Sequence, residues 1–131
     1  VDVVIMAAAV ADYTPIEVSD TKIKKAEDEL SILLKRTKDI LAYLGNNKKN
    51  QMLVGFALET NNEVQNAKKK IAKKNLDFIV LNSLNDKGAG FAHNTNKISI
   101  IGKDNNITNF ELKTKLEVAD DILLHLIKTI N

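Results

Sequence analysis

Residues 1–13 read VDVVIMAAAVADY. Val1 to Met6 form an apolar, β-branched run, the composition of a parallel strand covered on both faces, and the strand is expected to end near Ala8. In an open α/β sheet, ligands bind beyond the carboxyl ends of the strands. Side chains as small as those of Ala7, Ala8 and Ala9 would let a ligand approach the backbone there. Asp12 falls just past the strand tip, where a carboxylate can accept hydrogen bonds from a sugar or a base amine. The same spacing also fits alanines that accommodate a packed helix and an aspartate that caps a turn.

Working outward, the remaining apolar signals alternate between strand and helix. Residues 14–29, TPIEVSDTKIKKAEDE, are polar and hold the one proline, which predicts a long loop of the lid kind. Leu30 to Lys35 reads as a short strand. Thr37 is placed to N-cap a helix through Leu44, with Gly45 as its stop. Gln51 to Leu58 is a further strand, and Thr60 with Glu63 has the spacing of a capping box that opens a helix to about Asn75. Leu76 to Asn82 is a third buried strand. Lys97 to Ile101 and Ile107 to Lys113 read as a hairpin about the turn-rich GKDNN. A second capping box, Thr114 with Glu117, opens a last helix expected to bury Leu116, Ala119, Ile122, Leu123, Leu126, Ile127 and Ile130. This order predicts an α/β fold: a Rossmann-like open, mostly parallel sheet with a carboxyl-terminal β-hairpin and a terminal helix.

Bulk composition sets limits on that domain. A chain of 131 residues with 44% hydrophobic content builds a single core, so residues 1–131 are read as one domain. A formal charge of +2 does not indicate a general nucleic-acid surface. There is no cysteine and no apolar run of bilayer length, which fits a cytoplasmic protein without a membrane partner. The chain begins within its first strand, without an initiator Met or signal peptide, and is read as the truncated part of a longer polypeptide.

Local charge is more informative than the total. On the helix after Thr60, Val64, Ala67 and Ile71 form the apolar stripe, and Lys69 and Lys73 point away from it. Lys70 and Lys74, four apart, lie along one edge of the stripe, where both ammonium groups are expected to reach one point and hold an anion between them. A solvated basic face has the same pattern. Lys38, Asp39, Ile40 and Leu41 stand at a helix start, whose first N–H groups are unpaired and favour anions. Lys22, Lys24 and Lys25 put positive charge on the loop. Gly88-Ala89-Gly90 lacks the third glycine of a dinucleotide fingerprint and precedes a strand, so it is not read as a dinucleotide loop. His93 and His125 have no second ligand at useful spacing and are assigned surface or packing roles; no metal-binding residue is assigned.

Taken in order, AAVADY, a loop with KIKK, DIL at a helix start, VGFALET, a lysine helix, LDFIVLN and a glycine-phenylalanine loop resemble the phosphopantothenoylcysteine synthetases of coenzyme A biosynthesis. The resemblance spans residues 3 to 127. It implies a ligase that joins 4'-phosphopantothenate to L-cysteine, with CTP as the activating substrate, Mg²⁺ as cofactor and an acyl-cytidylate intermediate. It also implies that Met6, Ala7, Ala8, Asp12 and Phe56 contact the nucleotide. Lys38 to Leu41 would present helix amides, Lys70 and Lys74 would contact phosphate, and Lys22 would be the catalytic lid residue. A homodimer and fusion to a flavin-dependent decarboxylase domain are implied as well. The family carries a glycine-rich strand-loop-helix and an asparagine upstream of AAVADY; without them the chain would be a nucleotide-binding or dimerisation fragment that does not turn over. Asn94 stands where the family often has an acidic residue.

Overall fold

A computed structural model describes residues 1–24, 30–83 and 94–130. Strands β1 (Val3–Met6), β4 (Met52–Glu59) and β5 (Phe78–Ser83) lie side by side and parallel, with Val4 opposite Leu53 and Phe56 opposite Val80. Strand β7 (Ile98–Gly102) then runs antiparallel to β5, and β8 (Ile107–Asn109) antiparallel to β7, giving the order β1-β4-β5-β7-β8. The predicted Rossmann-like architecture is thus present, and the hairpin about residues 102–106 extends the sheet on one edge.

Two cores sandwich this sheet. On one face, α1 (Ile40–Asn47) and α2 (Glu63–Lys74) close over Leu53, Ala57, Leu76, Ile79, Leu81 and Ile101, with Ala67 and Ile71 contributed by α2. On the other, α3 (Lys115–Ile130) sets Val118, Ile122 and Leu126 against Val54, Phe78, Val80, Ile98 and Ile100. Each aliphatic side chain buried this way contributes about 1.5–3 kcal/mol relative to exposure. His125 packs edge-on to Phe78 at 5.0 Å, as its assigned packing role requires.

Several local expectations are corrected. β1 ends at Met6, so the three alanines lie outside the strand. The strand expected over Leu30 to Lys35 is β3 (Leu34–Arg36); it pairs with β2 (Tyr13–Pro15), taking Thr14 and Pro15 out of the predicted loop. Asp39, not Thr37, caps α1, because its carboxylate accepts the Ala42 N–H at 3.0 Å while Thr37 Oγ1 donates to the Ala11 carbonyl. Gly45 does not stop α1; it is buried within the helix, where α2 crosses so closely that a Cβ would sit 1.9 Å from the Lys74 carbonyl oxygen. The N-cap of α2 is Asn62, in the left-handed region at φ 48°, and Glu63 accepts the Ser83 hydroxyl at 2.6 Å. Val64 is 37% exposed, leaving Ala67 and Ile71 as the buried stripe of α2.

The second capping box is present, with Thr114 N–H and Oγ1 both donating to Glu117 Oε2 and Glu117 N–H donating to Thr114 Oγ1. The box fixes where α3 begins, but the helix is rotated from the expected face. Leu116, Ala119, Leu123, Ile127 and Ile130 are exposed, and Val118 takes the buried position. The buried stripe is Val118, Ile122 and Leu126, spaced four apart and packed on the sheet, and Asp121 beside it accepts from Lys113 Nζ through both carboxylate oxygens, at 3.0 and 2.7 Å. A short ribbon of β6 (Thr95–Asn96) and β9 (Lys113–Thr114) precedes the helix. Gly88, Ala89, Gly90 and His93 lie outside the described residues, as does Lys25.

Candidate functional site

The site is built where β1 stops. After Met6 the chain runs past Ala8 and Asp12 into β2, and two bonds from Thr37 tie this stretch to the chain leaving β3. Thr37 N–H donates to the Asp12 carbonyl at 2.9 Å, and Thr37 Oγ1 to the Ala11 carbonyl at 2.6 Å. The start of α1 is thereby held against the strand tip. Between them opens a cleft of about 350 Å³ lined by Met6, Ala8, Asp12, Tyr13, Arg36, Lys38, Asp39, Ile40, Leu41, Phe56 and Lys74, among others. Stretches near residues 8, 39, 56 and 74, far apart in sequence, meet there.

The cleft is polar, and most of its charges already have partners. Lys74 Nζ lies 3.0 Å from Asp39 Oδ2, with the lysine side chain 22% and the aspartate 50% exposed. Lys38 Nζ stands 3.4 Å from the Tyr43 ring centroid, and the Arg36 guanidinium 5.9 Å from that of Tyr13. The Asp12 carboxylate is exposed and has no hydrogen-bond or ion-pair partner among the described residues. The Ala42 N–H bond, opposed by partial burial and assisted by Lys74, holds the Asp39 carboxyl below the usual carboxylate range. Ile40 and Leu41, the first two residues of α1, have N–H groups that the helix itself cannot pair.

Lys70 departs from expectation. It does not meet Lys74 at one point: its ammonium bonds Glu59 Oε1 at 2.6 Å, and Asn66 Nδ2 donates to Glu59 Oε2 at 3.1 Å. Burial raises the Glu59 carboxyl, but these bonds outweigh it and leave the group below its ordinary range. The two lysines thus serve two carboxylates one helical turn apart, and Lys70 does not line the cleft. Lys22 is exposed in the segment between β2 and β3 and does not line the cleft either. Ala7 faces a second cleft of about 510 Å³, toward α3, which shares Met6, Ala8 and Phe56 with the first. The tip of β1 therefore separates two spaces.

One residue that the sequence reading passed over lines that second cleft. Asn82, near the end of β5, has a buried Oδ1 without a donor among the described residues. An unpaired buried acceptor costs free energy in the empty protein and is a standing invitation to a ligand N–H or O–H. The available signal was an amide directly after the apolar run FIVL of residues 78–81.

Parallel strands that end together at a polar cleft, with helices on both faces, define a Rossmann-like α/β domain. The chain belongs to the DNA/pantothenate metabolism flavoprotein C-terminal domain family, whose profile matches residues 1–130. It is 62% identical over 123 residues to a cysteine/cysteine sulfinic acid decarboxylase of an unknown prokaryotic organism, covering 93% of this chain and 34% of that protein. It is 48% identical over 122 residues to the coenzyme A biosynthesis bifunctional protein CoaBC of Bacillus subtilis (strain 168), covering 93% of this chain and 30% of that protein. The crystal structure of the C-terminal domain of a coenzyme A biosynthesis bifunctional protein CoaBC matches with a TM-score of 0.78 at 38% identity, over 99% of this chain and 55% of that one. The chain spans about a third of the length of the curated relatives it matches.

Proposed function

We propose that this chain is the nucleotide-handling part of a cytoplasmic phosphopantothenate–cysteine ligase, acting within a longer polypeptide that also carries a flavin-dependent decarboxylase. The observation that carries the reading is the convergence of Asp12, the start of α1, Phe56 and Lys74 on one cleft. The relation to CoaBC proteins, named for coenzyme A biosynthesis, supports a ligase of that pathway, and the substrates are those that the resemblance of the motifs implies. A carboxylate has no good leaving group, so the 4'-phosphopantothenate carboxylate oxygen attacks the α-phosphorus of CTP. The bond to the β-phosphate oxygen breaks and pyrophosphate leaves. The cysteine amine then attacks the acyl carbon, the C–O bond to CMP breaks, an amide forms and the amine proton passes to solvent.

In this reading Met6, Ala7, Ala8 and Phe56 frame the nucleoside and Asp12 accepts a hydrogen bond from it. The N–H groups of Ile40 and Leu41, with Lys38 and Lys74, receive the triphosphate; Lys70 joins them by leaving Glu59, and Lys22 closes over the α-phosphate from its loop. Charge-assisted bonds of this kind contribute about 1.5–3 kcal/mol each. The exposed Lys74–Asp39 pair is worth ~1 kcal/mol or less, so a phosphate can displace it. Mg²⁺ bound to phosphates needs only one or two carboxylates, and the exposed Asp12 carboxylate is the one in the cleft that no Lys or N–H of the described residues engages; among the described residues no cluster of three His, Asp or Glu exists to hold a metal independently. When bound, the ion offsets triphosphate charge. A homodimer with composite sites belongs to the same reading.

Pyrophosphate release from CTP, dependent on phosphopantothenate, tests it in the longer protein, and Lys22→Ala is expected to slow that release about ten- to hundredfold. Release that does not require phosphopantothenate would refute the ligase. A second reading, a binding or assembly module without turnover, is favoured by Lys70 being bound to Glu59 and by Lys22 not lining the cleft. Calorimetric binding of CTP with no pyrophosphate release by the chain alone is its signature.

A further inference from the structure

Of the cations lining the cleft, Lys74 alone is held by a full negative charge among the described residues; Lys38 and Arg36 rest over tyrosine rings. The carboxylate that holds it, Asp39, also caps α1, and that task uses one oxygen: Oδ1 accepts the Ala42 N–H at 3.0 Å. An amide or hydroxyl caps a helix as well as a carboxylate does. The charge of Asp39 is therefore surplus to the cap. Lys74 Nζ lies 3.0 Å from Oδ2 and 3.2 Å from Oδ1, so the ammonium engages both oxygens at the mouth of a helix whose first residues line the same cleft.

We propose that Asp39 is a positioning residue and counter-ion: it holds the Lys74 ammonium in the empty cleft and yields it to an incoming polyphosphate, so that it sets how tightly such an anion binds. The proposal rests on the cleft receiving phosphate groups, and it assigns Asp39 a role through Lys74 rather than through the ligand. An anion entering beside α1 must take the ammonium from a partner already in place. The exchange is favourable for a chain of phosphates that also reaches the α1 amides and Lys38. It is unfavourable for a single weakly charged anion, so Asp39 keeps the cleft clear of these.

The test is calorimetric titration of the chain with sodium tripolyphosphate at low salt, for the wild type, Asp39→Asn, Lys74→Ala and the double variant. Asparagine preserves the cap, and Asp39→Ser, which also caps, stands in should the amide variant not fold. With Lys74 present, Asp39→Asn is expected to tighten binding about tenfold, the effect of removing one unit charge near 4 Å. In the Lys74→Ala background the same substitution is expected to change binding less than twofold, which a purely structural cap would not produce. Equal gains in both backgrounds would mean that Asp39 repels the ligand directly, and no gain would mean that it only caps; either overturns the proposal. Failure of all four proteins to bind removes the anion reading of the cleft and this role with it.

Discussion

Asp77 and Leu53 exchange two hydrogen bonds at the entry to neighbouring parallel strands: Leu53 N–H donates to Asp77 Oδ2 at 2.6 Å, and Asp77 N–H donates to the Leu53 carbonyl at 2.9 Å. Lys48, from the end of α1, adds its ammonium to both Asp77 oxygens at 3.0 and 2.8 Å. Lys103 N–H donates to the Asp77 carbonyl at 2.9 Å, which ties in the far end of β7. One aspartate thus gathers four segments at the end of the sheet opposite the cleft. Asp77→Ala leaves the Leu53 N–H and a largely buried ammonium unpaired, and is expected to cost about 3 kcal/mol. Urea denaturation reads this directly, and ligand binding at the distant cleft should be unchanged in the folded fraction.

Gly45→Ala is expected to be unusually damaging for a helix position, where alanine normally helps. The added carbon would lie 1.9 Å from the Lys74 carbonyl oxygen and 2.7 Å from its carbon, both backbone atoms that cannot rotate away. The helices must separate, at a cost of about 2–3 kcal/mol. Because the contact is with Lys74 itself, anion affinity should fall together with stability. A thermal melt paired with a tripolyphosphate titration checks both.

Asn82→Leu should separate stability from function. Its buried oxygen lacks a donor among the described residues, so an apolar side chain of similar volume is expected to leave the unliganded protein equally stable or more so. Binding of any ligand that occupies the second cleft should drop at least tenfold. Comparing unfolding midpoints with CTP titrations decides this: a destabilised variant would mean that the amide is already satisfied.

Acid should weaken the fold in a defined order. Burial, with Lys128 nearby and against the opposing effect of Asp104, lowers the His125 imidazole, so its contribution is present above the ordinary histidine value of about 6.5 and is lost as pH falls through the lowered folded value. The Asp39, Glu59 and Glu117 carboxyls are lowered too; their contributions hold above the ordinary carboxylate range and disappear as pH falls through their depressed values. All four act in one direction. Denaturation midpoints should decline first near the histidine range and again in the carboxylate range. Replacing His125 by Phe, which keeps the ring against Phe78, should remove the first decline only.

The amino-acid sequence alone determined the α/β class, the three parallel strands, the carboxyl-terminal hairpin and the Thr114–Glu117 helix start, because these follow from apolar periodicity and from contacts within a few residues. The resemblance of its motifs also implied a common place for Asp12, the start of α1, Phe56 and Lys74, and these residues line one cleft. Tertiary structure decided the rest. The face that α3 buries depends on how it lands on Val54, Phe78, Val80, Ile98 and Ile100, the fate of Gly45 on how closely α2 crosses, and the separation of Lys70 from Lys74 on carboxylates supplied by β4 and by the α1 cap. Helical spacing fixes where a lysine stem begins. Where its ammonium rests is set by the nearest opposite charge, and that charge arrives from residues 11 and 35 positions away.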